Sequence, residues 1–146
     1  MVGKGSNRTY PFNKINENEI AYIRKYTHYF VDKYINYTPA MYKTEDFRSF
    51  CINNGIDVLI VGSDQVWRPR YNYNIYRSFF DFAESLDIKR YAYAASFGVD
   101  CWEYTEEQTS KCKKLIESFD AISVREESAI ELCNTYFSRK AEHVLD

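Results

Sequence analysis

Three short stretches carry side chains able to bind or activate a polar molecule. The first is Gly62-Ser63-Asp64-Gln65-Val66-Trp67-Arg68-Pro69. Ser63, Asp64 and Gln65 are short polar groups suited to reading hydroxyls, and Trp67 offers a flat face for a sugar ring. Arg68 and the nearby Arg70 can meet an anion through the guanidinium fork. A second reading stands on equal footing: a capped turn in which Ser63 or Asp64 bonds backbone amides and Trp67 plugs the core. The second stretch is Ser96-Phe97-Gly98. Ser96 can hold a phosphate or a sugar hydroxyl, and Gly98 admits a ligand close to the backbone; an ordinary strand exit is the other reading. The third is Arg125-Glu126-Glu127-Ser128. Arg125 sits where a ligand would lie, or pairs with Asp64 or Glu127. Glu126 and Glu127 read as acids of a first helical turn, favoured there by the helix dipole, rather than as catalytic groups.

Regular elements must hold these stretches together. Residues 1–14 read as loose, and a helix is expected from about Asn16 to Asn36, with Ile20, Ile23, Thr27, Phe30, Val31 and Tyr34 on one face. Tyr22, Tyr26 and Tyr29 line a flank of it and read as packing or dimer contacts. Pro39 closes the segment. A shorter helix opens at Thr44 or Glu45 and ends at Asn53-Asn54-Gly55, with Gly55 as a left-handed cap. Asp57–Val61 is a continuous apolar run between glycines and reads as a strand buried on both faces. Further strands are expected at Arg90–Ala95, Ala121–Val124 and Glu142–Leu145. Helices are expected from Thr105, where Gln108 completes a capping box, and from Glu126 to Phe137. Strand and helix alternate at about thirty-residue spacing, which argues for an α/β layered fold with a mostly parallel sheet. In such sheets ligands bind beyond the carboxyl ends of the strands, where all three stretches fall.

Composition excludes several function classes. The chain has 146 residues, 45% hydrophobic and 27% charged, which argues against disorder as a whole-chain reading. A net charge of −2 argues against nucleic acid as a partner. The longest aliphatic run is Val58–Val61, too short to cross a bilayer. Met1 to Asn7 lacks the apolar region of a signal peptide. Gly3-Lys4-Gly5-Ser6 lacks the spacing and the preceding strand of a phosphate loop. The four cysteines, Cys51, Cys101, Cys112 and Cys133, form no CxxC pair, and His28 and His143 lie apart from them. No metal site is therefore expected, and a reducing, cytoplasmic location fits best.

Taken in order, the segments resemble the polysaccharide pyruvyl transferase family. The resemblance rests on Asp57–Pro69, Arg90–Gly98, Phe119–Ser128 and His143–Asp146. It covers roughly residues 45–146, and the ordered set is far more specific than any one stretch. It implies a Rossmann-like three-layer domain, one lobe of a GT-B-like two-lobed transferase, after an N-terminal extension and helix over residues 1–44. The implied activity moves the pyruvyl group of phosphoenolpyruvate onto two hydroxyls of a sugar as a ketal, on a bacterial cell-surface polysaccharide. It implies no cofactor.

The sequence departs from the family pattern in two places. Residues 1–44 hold no counterpart of the strand and Asn-Tyr-Gly-type loop with which members begin, and members continue past the fourth-strand Leu-Asp into a second lobe. The expectation is thus an incomplete catalytic unit, inactive alone, that binds the acceptor through Ser63, Asp64, Gln65, Trp67 and Ser96. Gly98 gives close approach, Arg68, Arg70 and Arg125 are candidates for meeting the donor's anionic groups, and Asp64 is the candidate base. The alternative is a non-catalytic sugar-binding or assembly module derived from that lobe. An unpaired sheet edge would invite self-association there.

Overall fold

A computed structural model of the chain describes residues 16–146. The expectations for residues 1–14, the loose segment and Gly3–Ser6 included, lie outside the described residues. The chain divides into two compact units, Met1–Ala40 and Met41–Asp146.

In the first unit the described structure is helix α1, Glu17–Tyr34. Asn16 starts it: its side chain accepts from the Glu19 N–H, and the Glu19 carboxylate accepts from the Asn16 N–H, each at 2.9 Å. This reciprocal cap satisfies two amides that a helix start leaves free. At Ile35 the backbone turns extended and the helix stops. None of its residues is buried; Ile23, Phe30, Tyr22, Tyr26 and Tyr29 all stand exposed.

The second unit opens with α2, Thr44–Asn53, closed by Gly55 in the left-handed region at φ +60°. Four strands follow: β1 (Val58–Val61), β2 (Lys89–Ala95), β3 (Ala121–Val124) and β4 (Glu142–His143). They form one sheet in the order β1-β2-β3-β4, every pair parallel. The link from β1 to β2 runs through two 3₁₀ turns, Ile75–Phe79 and Asp81–Ala83. The next crosses through α3, Glu106–Ile116, whose start carries the expected Thr105–Gln108 capping box. The last crosses through α4, Glu127–Leu132, continued by a π-turn over Cys133–Phe137.

This strand order decides which face is covered. Crossovers between parallel strands are right-handed, so when each strand lies beside its predecessor every crossover returns over the same face. The core gathers there. Leu59 and Val61 pack against a cluster including Trp67, Ile75, Phe79, Phe97, Cys112, Ile116, Phe119 and Phe137. Burying each Phe stabilises by about 1.5–3 kcal/mol before the entropy of ordering it is counted. On the opposite face Val58 is 42% exposed and Ile60 66%. The reading of β1 as buried on both faces is corrected by this: it is an edge strand with one face open. The described helices of this unit form one layer over the sheet, so the expected third layer is not found among them.

The pairing of β2 with β3 is irregular at its carboxyl end. Its register shifts between Ala92 and Ala95, with Ala94 at φ 48°. The Ser123 hydroxyl patches the gap, accepting from the Ala94 N–H and donating to the Ala92 carbonyl, each at 3.1 Å. The bulge bends β2 just before it delivers Ser96.

Candidate functional site

The carboxyl ends of the strands are stitched together by backbone bonds. Ser96 N donates to Asp64 O at 3.2 Å, Trp67 N to Ser96 O at 3.1 Å, and Arg125 N to Ala95 O at 3.2 Å. The loops after β1, β2 and β3 therefore form one polar surface. Two glycines make the fit possible. A side chain at Gly62 would run into the Tyr93 carbonyl, and one at Gly98 (φ +67°) into the Gln65 side chain.

Ser96 is fully buried, and its hydroxyl is used in both directions. It accepts from the Gly98 N–H at 2.9 Å and donates to Glu126 Oε1 at 2.5 Å. Glu126 Oε1 also lies 3.3 Å from Arg125 Nε, and Arg125 Nη1 lies 3.1 Å from Asp146 Oδ2. The nearby Ser63 hydroxyl, first, and the bond from Arg125, second, hold the Asp146 carboxyl below its ordinary range. The bond to Asp146 is the main cause raising the Arg125 guanidinium above its usual pKa. The network thus sets one cation against two carboxylates. It suits a neutral, hydroxyl-bearing molecule better than a second anion.

Arg68 is similarly spoken for. Its Nε and Nη2 reach the two Glu103 oxygens at 2.9 and 3.2 Å, and its Nη1 reaches Gln65 Oε1 at 3.2 Å. This fork is the strong geometry for an arginine–carboxylate pair. It holds the Glu103 carboxyl below, and the Arg68 guanidinium above, their ordinary values.

The structure therefore unites Ser63, Asp64, Gln65, Arg68, Ser96, Gly98 and Arg125 at the strand ends. It removes Trp67. That indole is 0% exposed, stacked on Phe79 at 5.2 Å and 12°, with Nε1 donating to the Ser78 carbonyl at 3.3 Å. The Tyr104 hydroxyl donates to the Trp67 carbonyl at 2.7 Å. The expectation of a sugar-stacking face at Trp67 is corrected: the core takes both sides of the ring.

The reading of Glu126 as a helix-stabilising acid of a first helical turn is corrected by the structure. Glu126 is the extended residue preceding α4, not a member of its first turn, so its carboxylate turns back toward Ser96. Its Oε2 is buried without a hydrogen-bond partner among the described residues. A polar residue directly after a strand-end arginine was the available signal. Arg125 pairs with Glu126 and Asp146 rather than with Asp64 or Glu127.

Among the described residues no three His, Cys, Asp or Glu side chains converge to hold a metal ion. Cys51, Cys112 and Cys133 are buried, and burial pushes the Cys112 and Cys133 thiols up to about 12. No described helix is long and apolar enough to cross a membrane.

A four-stranded parallel sheet flanked by helices defines the class, a parallel α/β domain, and its candidate site is the carboxyl edge where such sheets bind ligands. The sequence model of the polysaccharide pyruvyl transferase family matches residues 7–146, and the chain belongs to that family. Membership implies a polysaccharide acceptor. No curated protein and no solved structure matches the chain.

Proposed function

We propose that this chain supplies the acceptor-binding side of a pyruvyl transfer from phosphoenolpyruvate to a polysaccharide sugar, within a GT-B-like two-lobed arrangement, and does not turn over alone. In that reaction two sugar hydroxyls bond to C2 of the enol, and the C2–O bond to phosphate breaks. One hydroxyl proton ends on the methylene carbon, making it a methyl group, and the other leaves with phosphate. The chemistry needs cations for the donor's phosphate and carboxylate, an acid for the methylene carbon and a base for the hydroxyl.

The observation that carries the reading is the pairing of two of the three candidate cations, Arg68 with Glu103 and Arg125 with Glu126 and Asp146. That leaves the exposed Arg70 alone for a donor that carries both a phosphate and a carboxylate. What the site still presents is hydroxyl-reading chemistry. Asp64 is exposed, and its Oδ1 accepts from the Gln65 N–H at 2.7 Å, leaving Oδ2 as the candidate base. The test is pyruvyl transfer assayed with the isolated chain, phosphoenolpyruvate and a polysaccharide acceptor. Acceptor binding without phosphate release is expected; multiple turnover by the chain alone overturns the proposal.

A further inference from the structure

We infer that Tyr71 is the aromatic platform on which a pyranose ring of the acceptor stacks, with Asp64 and Gln65 reading its hydroxyls. This deepens the acceptor-binding reading and rests on it.

Four observations converge. Asp64, Gln65, Val66, Tyr71 and Asn72 line a concavity of about 350 Å³ immediately beside the strand-end network. Tyr71 is 68% exposed although it lies four residues from the fully buried Trp67. Its support is rigid. The Arg68 guanidinium carbon lies 4.6 Å from the Tyr71 ring centroid, a cation–π contact, and Glu103 and Gln65 hold that guanidinium in place. Asn72 pins the other end of the turn: its Nδ2 donates to the Val66 carbonyl at 3.1 Å and to Ser78 Oγ at 2.7 Å, while the Tyr71 and Asn72 N–H groups both donate to the Arg68 carbonyl at 3.1 Å. Finally, complementary polar atoms remain for a ligand. Among the described residues Asp64 Oδ2, Gln65 Nε2 and the Tyr71 hydroxyl have no hydrogen-bond partner.

An exposed aromatic ring fixed from behind, beside one free acceptor and one free amide donor, is the chemistry that recognises a sugar. The ring takes the apolar C–H face, and the carboxylate and amide take the hydroxyls around it. A platform already ordered avoids the entropy of fixing the loop on binding. Arg68 thereby gains a role different from anion binding: it positions Tyr71.

The test titrates methyl glycosides of glucose, galactose and mannose into the full chain carrying ¹³C-labelled tyrosine, followed by NMR. The Tyr71 ring resonances should shift saturably with at least one glycoside, while the Trp67 indole stays put. Tyr71→Ala should weaken that binding about tenfold, Tyr71→Trp should restore it, and the thermal midpoint should barely move because the ring is exposed. Unshifted Tyr71 resonances with all three glycosides, or wild-type affinity in Tyr71→Ala, overturns the inference. The two proposals fail separately. Multiple turnover by the chain alone, with Tyr71 shifting on glycoside binding, leaves the platform standing and removes the acceptor-side reading. Saturable binding of a polysaccharide acceptor without phosphate release, with Tyr71 unshifted and affinity unchanged in Tyr71→Ala, does the reverse.

Discussion

Two halves of one loop meet opposite fates. Trp67 is sealed between Phe79, Phe97 and Phe119, whereas Tyr71, one turn later, stands in the open over Arg68. Both are large aromatics beside hydroxyl-reading groups, and only one can touch a ligand. The difference lies in what each ring leans on. The covered face of the sheet demands a plug beneath the β1 loop, and the larger, more apolar ring fills it. The turn beyond is too far out to be covered, and an ion pair supports it instead. A loop can thus use one aromatic to hold itself down and another to meet its ligand.

The largest expected effect lies on the buried side of that division. Trp67→Ala should cost about 3–5 kcal/mol by urea unfolding, since it empties the centre of an aromatic cluster. A loss below about 1 kcal/mol would mean that the indole is not the plug described. Next comes the seam between the loops. Gly98→Ala should cost about 1–3 kcal/mol, because the new methyl group meets the Gln65 side chain at a left-handed backbone position. Gln65→Ala in the same chain should recover part of that loss, and no recovery would sever the proposed packing of Gln65 on Gly98.

The smallest effect belongs to the exposed side and depends on pH. The Glu103 carboxyl is held below its ordinary value chiefly by its bond from Arg68. A depressed folded-state pKa gives stability that is complete above the unfolded value and is lost as pH falls through the folded one. Wild type should therefore exceed Glu103→Gln slightly in urea midpoint at neutral pH, with the gap closing below about pH 4. A gap that persists at about pH 3 would show that the pair contributes through packing alone.

How much of this could be read beforehand differs by element. The capping pairs Asn16–Glu19 and Thr105–Gln108, and the Gly55 cap, involve residues three or four apart, and two of them were legible as motifs. The strand positions followed from short apolar runs between turn signals. What the runs could not report is their cover: Val58–Val61 looks the same whether one face is packed or two, because that depends on where later crossovers return. The site shows the same divide. The strand-end rule located the loops, yet the pairing of Arg68 with Glu103 joins residues far apart in sequence, and no local pattern announces it. Tyr71 was overlooked for a related reason. Residue type favours tryptophan for sugar stacking, but accessibility is set by the fold.

The strand order has a consequence for how the chain comes into being. Among the described strands each pairs with the one made just before it. The sheet can therefore grow in the direction of translation, one crossover at a time, with short loop closures at every step. β4 is the shortest of the four described strands, and its pairing with β3 also brings Asp146 to Arg125, so this part of the strand-end network forms only once β4 has docked.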